Sequence, residues 1–98
     1  MAAVVWLPAA YDDLDDIRRY VTPDRPEAAG QIAVRIVQAT RRLSVFPHSG
    51  RVVPELERSD IREVIVDRYR IVYRVSGDAV FILAVRHGAR RLTDLPDL

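Results

Sequence analysis

The chain has 98 residues, of which 49% are hydrophobic and 30% charged, with no cysteine and a formal net charge of +1. That is one soluble globular domain with a small core, not a disordered or multidomain chain. Disulfides, thiolate metal sites and a cysteine nucleophile are excluded, and no apolar run approaches the roughly 18 residues of a transmembrane helix.

The absence of cysteine fits a reducing cytoplasm, and the start, Met1-Ala-Ala-Val-Val-Trp-Leu-Pro, lacks the basic opening of a signal peptide. All 15 basic residues are Arg. Lysine is therefore absent as a base or Schiff-base former, and planar bidentate contacts to phosphate or carboxylate are favoured. Charge is uneven along the chain. Residues 1–30 carry three Arg against six acids, 31–60 five Arg against three, and 61–91 seven Arg against three. An acidic front and a basic back either neutralise each other within the fold or present the back to something negative.

Ala3-Val4-Val5-Trp6-Leu7 reads as a strand, edge or central. Pro8 then fits the first turn of a helix, whose apolar face is Ala10, Leu14, Ile17 and Val21. Its other face holds Asp12, Asp13, Asp15, Asp16, Arg18 and Arg19, with Asp15 and Arg19 spaced to pair. Thr22-Pro23-Asp24-Arg25-Pro26 interrupts, and Asp24 with Glu27 resembles a capping box. A second helix follows to about Val45, on the face Ala29, Ile32, Ile36, Ala39, Leu43 and Phe46, ended by Pro47 and Gly50. Residues 47–60 read as a polar connection. Three strands are predicted after it, Ile61–Val66, Tyr69–Val75 and Ala79–Arg86, joined by the short turns Asp67-Arg68 and Ser76-Gly77-Asp78.

Tyr69, Ile71, Tyr73 and Val75 share one face of the middle strand, with Arg70, Val72 and Arg74 on the other. The last strand is apolar on both sides, which argues for a central place in the sheet. The order is βααβββ. It predicts an α+β fold in which a helical hairpin packs on one face of a small antiparallel sheet. The other sheet face is expected to be bare or covered by a partner. Residues 1–91 form the domain, and 92–98 a loose tail.

The four aspartates of Asp12–Asp16 lack a second acidic cluster or a helical His to complete a metal shell. They read as a solvated helix face, and neither metal nor cofactor is expected. No Ser sits in a nucleophile motif. His48 lies in the connecting loop, whereas His87 ends the last strand beside Arg86, Arg90 and Arg91. Those cations disfavour a protonated imidazole and favour a base; a local strand-end hydrogen bond is the plainer reading. The arginines of the strands, among them Arg62, Arg70, Arg74 and Arg86, admit three roles. They can hold an RNA backbone, pair with Glu63, Asp67 and Asp78 across strands, or receive an acidic partner segment.

Taken in order, these residues resemble the RelE/ParE superfamily. The resemblance begins with the strand bearing Trp6, then Ala10, Asp13-Leu14, Ile17 and Tyr20. It continues through Phe46-Pro47, Gly50-Arg51 and Arg62-Glu63-Val64. Its strongest part is Tyr69-Arg70-Ile71-Val72-Tyr73-Arg74-Val75, followed by Ile82-Leu83-Ala84-Val85-Arg86-His87 and Arg90. The resemblance implies the growth-inhibiting, plasmid-stabilising toxin of a type II toxin–antitoxin pair. Its cognate antitoxin would lay apolar side chains of a C-terminal segment along the helices and sheet, folding as it binds. Two branches differ in activity. RelE-like members are ribosome-dependent, metal-independent mRNA endoribonucleases, whereas ParE-like members poison DNA gyrase as binders.

In the first branch Arg70 and Arg86 would hold phosphate and His87 would act as base. In either branch Arg51, Arg62, Arg70, Arg74, Arg90 and Arg91 are the expected target or partner contacts. The lysines of one ribonuclease subgroup are missing here, and Gly88-Ala89 replace the terminal side chains of another. Gly50-Arg51, Arg62 and the His87…Arg90 spacing resemble the ParE branch more closely. On this reading the two helices leave an arginine-studded β surface free for another macromolecule to grasp.

Overall fold

In the computed structural model, residues 1–20, 26–88, 92 and 95 are described, with only the backbone of Tyr20, Pro26 and Ala29. The elements are β1 (Ala3–Trp6), α1 (Pro8–Tyr20), α2 (Pro26–Arg41), a 3₁₀ turn (Arg42–Ser44), β2 (Arg51–Val52), β3 (Ile61–Val66), β4 (Tyr69–Ser76) and β5 (Ala79–His87). Both helices are amphipathic, and each begins at a proline whose missing N–H is an orphan of the first turn anyway. The three main strands lie where period-two alternation placed them, each later strand extending one residue further. The capping pair at Asp24 falls outside the described residues.

One five-stranded sheet runs in the order β1-β5-β4-β3-β2. β5 lies inside the sheet between β1 and β4, as its apolar faces required. The sheet is mixed rather than antiparallel, because β1 pairs with β5 in parallel, from Ala3↔Ala79 to Trp6↔Ile82. Sequence alternation is the same for both senses, so it gave no sign of this. β2 adds a two-residue strand within the stretch read as a plain connection.

Register controls which side chains meet. Between Val72↔Ala84 and Tyr73↔Ile82 the β4–β5 ladder slips, leaving Leu83 as an extra residue. This bulge puts Leu83 and Ala84 on the same side, while Ile82 and Val85 both turn towards the helices. The helix-side core gathers Ala10, Leu14 and Ile17 of α1, Ala33 and Ile36 of α2, Leu43, and Ile71, Tyr73, Val80, Ile82 and Val85 of the sheet. Phe46 does not join it; the helix gives way to the 3₁₀ turn at Arg42, the period breaks, and Phe46 stands 64% exposed.

The far side of the sheet is not bare. Val53, Ile61, Val72, Leu83, Ala84, Leu92 and Leu95 form a second core there, flanked by Leu7, Leu56 and Phe81. The chain covers this face itself, and Leu92 and Leu95 are anchored rather than loose.

Candidate functional site

Arg70 and Glu63 form the centre of the far face. Glu63 is buried on β3 and accepts hydrogen bonds from Arg51 Nε at 2.6 Å and from Arg70 Nε. The same Arg70 guanidinium donates to both oxygens of Glu55, at 2.7 and 2.8 Å. Glu55 also accepts the backbone N–H of Leu92 at 3.4 Å, which ties the tail to the network. The hydrogen bonds from Arg70 hold the Glu55 carboxyl at a pKa of about 2, well below the usual carboxylate range. Arg70 is in turn raised, first by its hydrogen bonds to Glu55, so the guanidinium remains charged despite burial. A buried cation with two carboxylates on its fork is the arrangement low-dielectric surroundings demand.

The other arginines singled out by sequence are also engaged. Arg62 donates to the carbonyl of Gly50 at 2.9 Å and to that of Ser59 at 3.1 Å, pinning two loops together. Arg74 lies over the Phe81 ring, 5.0 Å from its centroid, in a cation–π contact. Arg86 meets Asp13 at 3.4 Å. Arg51, though bonded to Glu63, keeps 61% of its side chain exposed. Arg90 and Arg91 lie outside the described residues. The expected free arginine surface is therefore corrected for Arg62, Arg70, Arg74 and Arg86, whose guanidinium groups meet the chain's own carbonyls, acids and an aromatic ring, while Arg51 stays largely exposed beside its bond to Glu63.

The register also separates the residues nominated for RNA cleavage. Arg70 pairs opposite Arg86, and Tyr69 opposite His87. Alternation then sends Arg70 to the far face with Val72, whereas Tyr69 lies with the helix-side core. His87 is on that helix side, its ring edge-on to Tyr69 at 5.9 Å. The two do not converge on one reacting atom. His48 is an exposed loop residue.

Two structural roles escaped the sequence reading. Asp13 was placed on a solvated helix face, but its Oδ2 accepts the backbone N–H of Val85 at 2.9 Å. β1 pairs with β5 only as far as Ile82, so Asp13 satisfies a ladder donor that no strand reaches. Gly50 is buried, and its N–H donates to the Tyr73 hydroxyl at 2.9 Å. A Cβ there would lie 2.5 Å from the Glu63 carbonyl oxygen and 2.6 Å from that hydroxyl, so only glycine fits. Burial raises the Tyr73 phenol, the Gly50 donor acting in the opposite sense.

An accessible concavity lies on the helical side. A groove of about 280 Å³ runs between α1 and α2, lined by Leu14, Ala33 and Val37 and shouldered by Tyr11 and Val34. Arg18 and Arg41 stand exposed along it. A larger hollow of about 510 Å³, with Arg35, Arg68, Tyr69 and His87 in its wall, lies between α2 and the β3–β4 turn. Among the described residues no cluster of three or more His, Asp or Glu is placed to hold a metal, and no helix is long and apolar enough to cross a membrane.

Residues 4–92 match the family model described as the ParE toxin of the type II toxin–antitoxin system, parDE. The chain is 40% identical over 91 residues to Toxin RelE2 of Caulobacter vibrioides, covering 92% of this chain and 99% of that protein. It is also 40% identical over 83 residues to the putative toxin Y4kP of Sinorhizobium fredii, covering 84% and 83% respectively. Among solved structures it resembles a chain of the chromosomal ParDE TA system from P. aeruginosa, with a TM-score of 0.73, 27% identity and coverage of 89% and 96%. With nearly every element inside the matched span and the same fold in a solved relative, the chain belongs to the ParE toxin family of type II toxin–antitoxin systems.

Proposed function

We propose that this toxin acts as a protein binder that poisons DNA gyrase, and that a cognate antitoxin neutralises it. The observation that carries the reading is the separation of Arg70 from His87. A ribosome-dependent ribonuclease built on Arg70 and His87 would need the two to converge on one phosphodiester. Here Arg70 is enclosed by Glu55 and Glu63 on one sheet face, and His87 belongs to the other. Gyrase engagement needs no such convergence, and Arg51, whose side chain is 61% exposed beside its bond to Glu63, is a contact open to it.

The α1/α2 groove supports the antitoxin half of the reading. Its apolar floor and flanking arginines suit an amphipathic segment with acidic edges, folding as it docks. Purified toxin is expected to inhibit gyrase supercoiling, and induced toxin to trigger a DNA-damage response while mRNA ends stay unchanged. Undisturbed supercoiling at saturating toxin, with new cleavages at codons in the ribosomal A site, would replace this reading with the RelE-like one.

A further inference from the structure

We propose that the open edge of β1 is a self-association site, where two copies of this chain pair their first strands antiparallel about a two-fold axis. The inference goes beyond the toxin reading and does not depend on it.

β1 is the end strand of the sheet, with β5 on one side only. Ala3 N–H donates to the Asp78 carbonyl at 2.8 Å and Leu7 N–H to the Ile82 carbonyl at 3.1 Å. Odd-numbered positions therefore face β5, and the N–H and C=O groups of Val4 and Trp6 point the other way. Ala2 N–H, next in the outward series, is taken by the Ser44 carbonyl at 2.7 Å, which closes one end of the open stretch.

Edge strands are ordinarily blunted by charge, proline, a bulge or short length. The opposite edge of this sheet is: β2 has two residues, begins at Arg51 and is soon followed by Pro54. β1 carries neither charge nor bulge, and is limited by its modest length and by Pro8, two residues beyond its end. Among the described residues, five of the seven exposed large apolar ones, Met1, Val5, Tyr11, Val45 and Phe46, lie on it or against its neighbours. Val45 and Phe46 follow the Ser44 that holds Ala2, and the Tyr11 ring stands 5.9 Å from Trp6.

The occupant follows from charge and register. No side chain in residues 1–11 is charged, so the edge offers nothing to select an acidic or a basic segment, but it is complementary to itself. With Val5 on the two-fold axis, Val4 of each copy lies opposite Trp6 of the other. All four outward groups then pair with the same four groups of the second copy. Val5, 40% exposed, faces its own symmetry mate. Four-residue strands with an apolar fringe fall below the roughly 1,200 Å² of a standard interface, so a weak dimer is expected.

Sedimentation of the purified full chain over a concentration series tests this. The wild type should pass from monomer to dimer as concentration rises. Val4→Pro removes an outward N–H without touching the β1–β5 ladder and should weaken the dimer at least tenfold. Val5→Lys and Val5→Glu should each be monomeric alone, with unchanged circular dichroism. Mixed in equal amounts they should associate again, since residue 5 meets residue 5 across the axis. A wild type that stays monomeric throughout, or single-charge variants that dimerise as it does, would overturn the proposal. So would Val4→Pro and Val5→Lys weakening antitoxin capture by a wild type that never self-associates, which would assign the edge to the antitoxin.

Discussion

The two sides of the sheet are built on different principles. The helix side is closed by complementary apolar surfaces: Leu14, Ile17, Ile36 and Leu43 against Ile71, Ile82 and Val85. The far side has a smaller apolar core, Val53, Val72, Leu83 and Leu92, set beside the ion network Arg51–Glu63–Arg70–Glu55. An apolar interface tolerates changes of pH and salt. The ionic one is intolerant of losing Glu63 or Arg70, which are buried, because the charge left behind has little water to turn to, whereas Arg51 and Glu55 keep solvent contact. The fold can therefore be perturbed on one side by chemistry that leaves the other intact.

Glu63→Leu is the harshest way to break this contrast. It leaves Arg70 buried with half its partners and should cost about 3–5 kcal/mol, read as a lower midpoint in urea denaturation. A loss below about 1 kcal/mol would mean that Glu55 alone suffices. Leu92→Ala opens a cavity in the far core and should cost about 2–4 kcal/mol. Hydrogen exchange in that variant should accelerate in the Val53–Leu56 segment before it does in α1 or α2. Gly50→Ala forces a methyl group into the Glu63 carbonyl and Tyr73 hydroxyl, at a cost of about 1–3 kcal/mol.

Acid sharpens the comparison further. The Glu55 pKa is depressed when folded, so its contribution is complete above the ordinary carboxylate range and is lost as pH falls towards about 2. Stability should decline between pH 4.5 and 2, and Glu55→Gln should flatten that decline. The smallest effect belongs to Arg35→Ala. Its 2.7 Å pair with Asp67 is largely exposed and should contribute no more than about 1 kcal/mol at low salt.

Much of this architecture could be read from sequence, because strands joined by two- or three-residue turns leave little freedom of register. The split of Tyr69, Ile71, Tyr73 and Val75 from Arg70, Val72 and Arg74 needed only the pleat. The partners of Arg70 were harder to find. Glu63 was one candidate among several acids, and Glu55 sits in a loop without periodicity, 15 residues from the arginine it clamps. Leu92 and Leu95 were obscured by Asp and Pro neighbours, and Asp13 by three other aspartates with the same apparent solvent-facing role. Local patterns report which way a side chain points, and long-range closure decides what it meets there.

The parallel pairing of β1 with β5 has a consequence for biosynthesis. β1 can join the sheet only after β5 has been made, with some 75 residues between Ala3 and Ala79. A nascent chain released early has no docking place for its N-terminus, so a truncated product cannot complete the five-stranded sheet. The five-stranded sheet is therefore completed only once β5 is available to β1.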